Sequence, residues 1–183
     1  MAEEWPKICS RRTLAVSPWM HIITREVEFS QGEPIQTYHS VGQKDYIAIV
    51  ARTPDGRIPI VRQYRPALES FTWELPAGLV EQNEDPAESC RRELLEETGY
   101  PTGVIHPLGS AFPCSGRLSN HIHSFFVETR DQITNFTPER GISMVTKTPS
   151  QLVTLINAGE FIQQLHLGAL LLAELRGFIQ LPR

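Results

Sequence analysis

Residues 78–100 read GLVEQNEDPAESCRRELLEETGY, and this stretch decides how the rest of the chain is read. Asp85 can cap free amides, Pro86 suits a first helical position, and Glu88 stands where a capping box places its acid, so a helix is expected from here to Gly99. On that helix Glu93 and Glu97 are stacked neighbours and Glu96 adjoins Glu93. Three carboxylates therefore share one face near the negative end of the helix dipole, and a bound cation would relieve their repulsion. Hard oxygen donors without His or Cys nearby favour Mg²⁺ or Mn²⁺ over zinc, and Mg²⁺ so held usually completes its shell with water and phosphates. Composition alone equally allows a solvated acidic face in which Arg92 pairs with Glu96.

The chain has 183 residues, a size that buries a core without disulfides or a structural metal. It carries 17 basic and 21 acidic residues, a net charge of -4 and no block of five like charges, which excludes a nucleic-acid footprint. Cys9, Cys90 and Cys114 form no CxxC pair and suit a reducing compartment. Met1 to Trp5 is acidic where a signal peptide is basic, and the apolar run Leu167–Leu175 is too short to span a bilayer. A cytoplasmic protein without membrane or nucleic-acid partners is expected.

Alternation over 19–29 and 35–41, with a turn at 31–34, predicts an N-terminal hairpin. Runs 46–52 and 58–64, joined by Thr53-Pro54-Asp55-Gly56-Arg57, predict a second. Strands are expected over 121–128 and 142–145, and helices from Thr148 to Gly159 and over 162–175. The fold class is α+β, with a mixed sheet flanked by helices, an N-terminal β unit over 1–44 and a second domain over 45–183.

Glycine, five residues, glutamate, seven residues, then Arg-Glu-Leu-x-Glu-Glu-x-Gly fixes eight positions in 23, and in this pattern the chain resembles the Nudix hydrolases. The resemblance implies the Nudix fold, an α/β/α sandwich with a mixed sheet, and hydrolysis of a nucleoside diphosphate linked to another moiety. It implies that Glu93 and Glu97 are principal metal ligands, with Glu96 assisting and the Ala77 carbonyl completing the site. Glu84 and Arg92 would bridge loop and helix to hold the acids in geometry.

Gln63-Tyr64-Arg65-Pro66, Trp73-Glu74-Leu75-Pro76-Ala77-Gly78 and Phe112-Pro113-Cys114-Ser115-Gly116 are similar to the ADP-ribose and nucleotide-sugar pyrophosphatase branch. By that resemblance a small-molecule nucleotide sugar is the substrate, Arg65 clamps its diphosphate, and Gly116 belongs to the substrate site. Glu74 has three open roles: the terminal ribose, the metal shell, or a pair with Arg65. The branch is homodimeric through exchanged N-terminal strands, and Trp19 and Tyr38 sit where its base-stacking aromatics stand, with hairpin core as the other reading of either. Glu139, the one acid in the loop 137–141, falls in the region of the general base; the plainer reading is a solvated loop residue. Asn120-His121 and the Cys114-Ser115-Gly116 loop depart from the branch and leave sugar specificity open. GDP-mannose hydrolysis and a non-catalytic ADP-ribose sensor are the competing readings.

Overall fold

The computed structural model describes residues 5–182, so the acidic start Met1–Glu4 lies outside the described residues. Strands β1 (Lys7–Ser17), β2 (Met20–Glu28) and β3 (Gln36–Gly42) form one antiparallel sheet in that order. Strand β1 was not foreseen. It is exposed along nearly all its length, so no apolar face marks it in the sequence, and its ladder to β2 is what makes it a strand.

Next come β4 (Tyr46–Arg52), β5 (Ile58–Arg65), β6 (Ser70–Glu74), β7 (Ala77–Leu79), helix α1 (Pro86–Thr98), β8 (Thr102–Ala111), β9 (Ile122–Thr129), β10 (Ile142–Lys147), α2 (Pro149–Asn157) and α3 (Gln164–Leu175). They build two sheets, β7-β4-β9-β8 and β10-β5-β6. The second expected hairpin is therefore corrected: β4 and β5 belong to different sheets. The turn closes locally, with Thr53 N–H donating to Arg57 O at 2.9 Å and Gly56 at φ 80°, but the strands then part. Strand β4 pairs in parallel with β9 and antiparallel with β7, while β5 pairs with β6 and β10. Strand β4 and the first half of β5, Ile58 to Val61, are buried and apolar on both faces, and such segments take whichever distant partners cover them.

The core follows from β4's alternation. Ile47, Ile49 and Ala51 pack with Phe125 and Val127 of β9 against Cys90 and Leu94 of α1. Ala48 and Val50 face the other way, toward Leu152 of α2 and Ala169, Leu170 and Ala173 of α3. One sheet thus lies between α1 and α3, the layered arrangement expected. Each fully buried Leu, Ile or Phe contributes roughly 1.5–3 kcal/mol.

The chain divides into two compact units, Met1–Lys44 with Phe112–His121, and Asp45–Ala111 with Ile122–Arg183. The segment 112–121, assigned above to the second domain, groups with the N-terminal strands: Val41 N–H donates to Arg117 O at 2.8 Å and Ser119 N–H to Val41 O at 3.1 Å. Among the described residues no helix is long and apolar enough to cross a membrane.

Candidate active site

Helix α1 is built as its ends predict. Asp85 Oδ1 accepts the Ala87 N–H at 2.7 Å, Pro86 opens the helix, and Gly99 closes it at φ 70°, a left-handed conformation that glycine adopts without strain. Glu88 is a correction. Its carboxylate bonds Arg91 at 2.5 Å, and the reciprocal capping box occurs instead at α2, between Thr148 and Gln151.

Arg92 ties this helix to the loop before it. Its Nε and Nη2 donate to Glu84 at 3.1 and 3.0 Å, Nη2 also reaches Leu79 O at 3.3 Å, and Nη1 reaches Glu93 at 2.6 Å and Glu96 at 3.4 Å. Glu84 further accepts from Ser89 Oγ at 2.6 Å and Glu81 N–H at 3.0 Å. With the Arg92 guanidinium first among these donors, the Glu84 carboxyl is held down at about 2 and stays ionised. One planar side chain therefore fixes the loop and two of the three helix acids together.

Glu97 is only 3% exposed, and its Oε2 accepts the Ala77 N–H at 3.0 Å. Burial pushes its carboxyl up to about 8, against the Ala77 N–H, and the charge of Glu93 adds to the rise. Glu93 is also raised, by burial first, with Arg92 opposing and Glu96 and Glu139 adding to it. Glu96 is the outer member, its side chain 52% exposed. Gly78 is what lets Glu93 lie where it does: a Cβ there would stand 2.1 Å from the Glu93 carboxyl carbon and Oε1. The first glycine of the sequence pattern is thus a space requirement.

Arg65 and Glu74 face each other in a bidentate pair, Nε to Oε1 at 2.7 Å and Nη2 to Oε2 at 2.5 Å. Of the three roles left open for Glu74, the pair with Arg65 is the one seen. Glu74 is fully buried, and Thr72 Oγ1 donates to it at 2.5 Å. The Arg65 side chain keeps 39% of its surface exposed and feels the charge of Glu97. Thr72 and His166 were missed by sequence reasoning. Thr72 shares Glu74's strand face at a spacing of two and was findable; His166 comes from α3, and no local signal points to it.

Cys90 is fully buried against Ile47 and Leu94, and burial pushes its thiol up to about 12, so it is an inert small hydrophobe. Glu139 lies exposed before β10, its peptide carbonyl accepting the Ile142 N–H at 3.0 Å. His123 Nε2 stands 3.1 Å from Asp45 Oδ2.

In the N-terminal unit Trp19 occupies the β1–β2 turn and is 62% exposed, with Lys44 Nζ 5.5 Å from its ring centre. Tyr38 stands opposite Arg25 on β3, edge-to-face with Phe29 at 5.8 Å. Trp19 precedes Arg25 by six residues, about 20 Å of strand, so Trp19 and Tyr38 of one chain do not converge. Tyr38 and Gly116 do: with Arg25, Phe29, His39 and Ser115 they line a cavity of about 320 Å³.

The donor set around Glu93 and Glu97 is all oxygen, and a buried carboxylate raised further by the charge of a part-buried neighbour suits a hard divalent cation. Among the described residues, no group of three or more His, Cys, Asp or Glu side chains is gathered closely enough to hold a metal ion by itself.

The model of the NUDIX domain matches residues 42–163. The chain belongs to the Nudix family. It is 35% identical over 82 residues to an ADP-ribose pyrophosphatase of Bacillus subtilis, covering 45% of this chain and 44% of that one. It is 28% identical over 157 residues to a GDP-mannose pyrophosphatase of Escherichia coli, covering 77% and 80%. The chain spans about half the length of the first curated relatives it matches. A solved structure titled an ADP compounds hydrolase superposes with a TM-score of 0.80 at 19% identity, covering 98% of this chain and all of the other, and so shares the fold.

A stability test follows from the titrations of this Nudix site. Folded Glu97 keeps a proton up to about pH 8 that an ordinary glutamate releases near 4.5, so its contribution is present below 4.5 and lost as pH rises to 8. His166, held down at about 4 by burial, runs the other way: its contribution is present above 6.5 and lost as pH falls toward 4. Between 6.5 and 8 only Glu97 of the two still titrates. Metal-free protein should lose about 2 kcal/mol across that window, read as a fall of several degrees in Tm. Glu97→Gln should flatten the profile, and a wild-type Tm that holds level from pH 6.5 to 8 would refute the buried, protonated Glu97.

Proposed function

We propose that this Nudix protein hydrolyses the diphosphate bond of ADP-ribose or a related nucleotide sugar, giving a nucleoside monophosphate and a sugar phosphate. The observation that carries the reading is the carboxylate pair of buried Glu97 and part-buried Glu93, beside Arg65 and braced by Arg92. Glu93, Glu97 and the Ala77 carbonyl would hold the cation, with Glu96 assisting. Bound there, Mg²⁺, or Mn²⁺ in its place, would supply neutralisation of the diphosphate and a more acidic attacking water.

Arg65, with two of its nitrogens fixed by Glu74, presents the remaining amine to a phosphate oxygen. Because Glu74 is buried and ionised beside it, the guanidinium is oriented before substrate arrives. Glu139 takes the proton from the water as it attacks phosphorus in line; its charge already reaches Glu93. Tyr38 and Gly116 bind the nucleotide side of the substrate, and Trp19 stacks the base, a contact worth about 1–3 kcal/mol. Trp19 and Tyr38 are too far apart in one chain to clasp one base, so we assign the second stacking surface to a partner copy in a homodimer. Exposed Leu14 and Val16 on β1 favour such a partner. Three free cysteines support a cytoplasmic setting.

The test is product analysis in ¹⁸O-labelled water with Mg²⁺, using ADP-ribose, other ADP-sugars and GDP-mannose. ADP-ribose should give AMP and ribose 5-phosphate with the label on one of them. Turnover confined to GDP-mannose would favour the second reading, which the similarity to the Escherichia coli relative supports. Binding of ADP-ribose without any turnover would make the chain a sensor.

A further inference from the structure

Between β6 and β7 the chain leaves one sheet and joins another. At that crossing the peptide groups of Leu75 and Pro76 lie outside both strands, and Leu75 is fully buried, so neither a ladder nor water serves its N–H. The partner comes from α3. His166, 3% exposed and 91 residues further along, accepts the Leu75 N–H on Nδ1 at 3.1 Å. Its neighbours in the crossing are all fastened: Glu74 to Arg65 and Thr72, Pro76 O to Ile49 N–H at 3.0 Å, and Ala77 N–H to Glu97 at 3.0 Å.

We propose that His166 is a positioning residue for catalysis, holding the Leu75–Ala77 crossing so that the Ala77 carbonyl and the Glu97 carboxylate keep the register the cation needs. The proposal rests on the function assigned above. Accepting from Leu75 requires a neutral ring with its proton on Nε2, and burial, which holds His166 at about 4, keeps it so. Nδ1 also lies 4.0 Å from Glu74 Oε2, so the same ring adjoins the carboxylate that orients Arg65. One side chain on the far layer of the fold thus borders both halves of the diphosphate site.

The comparison is His166→Asn against His166→Gln, two neutral amides of which only Asn places its acceptor at the δ position. Asn should keep kcat within about threefold of wild type and the Leu75 amide protected from hydrogen exchange. Gln should lower kcat roughly tenfold to a hundredfold with KM for ADP-ribose within twofold, raise the dissociation constant for Mn²⁺ measured by calorimetry, and expose the Leu75 amide. Equal behaviour of Asn and Gln in kcat and Mn²⁺ affinity would overturn the proposal, as would an unprotected Leu75 amide in wild type. Turnover of ADP-ribose by wild type is measured alongside. If wild type gives none the function assigned above fails; if wild type turns over while Asn and Gln match, only the role of His166 fails.

Discussion

Glu97→Gln should lower kcat/KM for ADP-ribose on the order of a thousandfold, about 4 kcal/mol of transition-state stabilisation, without unfolding the protein. Gln keeps an oxygen to accept the Ala77 N–H, so the helix stays fastened to the β6–β7 crossing. What is removed is a negative charge buried beside Glu93 and Glu74. A neutral side chain at that position no longer suffers their repulsion, so the metal-free variant should melt no lower than wild type at pH 8. Loss of turnover with no loss of stability separates a cation ligand from a structural acid. Steady-state kinetics over a Mg²⁺ titration and a thermal melt decide it. Activity within a few-fold of wild type would mean that Glu97 holds no cation.

The second large effect is expected from Gly78→Ala, which alters no charged or polar side chain. The new methyl would stand 2.1 Å from the Glu93 carboxyl carbon and Oε1 and 2.6 Å from its Cγ. A glutamate end can swing aside, so the fold should survive with a Tm drop of only a few degrees, but the carboxylate then leaves its place against Arg92. Turnover should fall about a hundredfold, close to the effect of Glu93→Gln. The double variant should be scarcely worse than either single one, because both remove the same carboxylate from the same position. Additive losses would show that Gly78 matters for some reason other than room for Glu93.

Glu93 and Gly78 also show how far the sequence could be read. The helix carrying the acids was legible because its signals are local: Asp85 and Pro86 at one end, Gly99 at the other, and a spacing that puts Glu93, Glu96 and Glu97 on one surface. The brace from Arg92 to Glu84 was legible for the same reason, eight residues apart across a loop and one turn. The glycine of the pattern was visible, but its purpose was not, since the atom it makes way for lies 15 residues on in the sequence.

Where the signal was not local, it misled. Thr53 to Arg57 has hairpin turn chemistry and closes a turn, yet β4 and β5 enter separate sheets. Strand β1 has almost no buried face, so periodicity passes over it, while β2 pairs with it along nearly its whole length. Residues 112–121 look like an ordinary loop and join the N-terminal strands through Val41.

By itself the sequence settled the acid-bearing helix, its first and last residues and the spacing of its carboxylates, because helical hydrogen bonds and side-chain spacing span four residues. Tertiary structure alone decided that Glu97 is buried enough to hold its proton near neutral pH, that Glu74 is bound to Arg65, and that an imidazole from α3 fastens the crossing before Ala77. Desolvation and strand pairing are set by segments brought together from tens of residues away, and no window of the chain contains both partners.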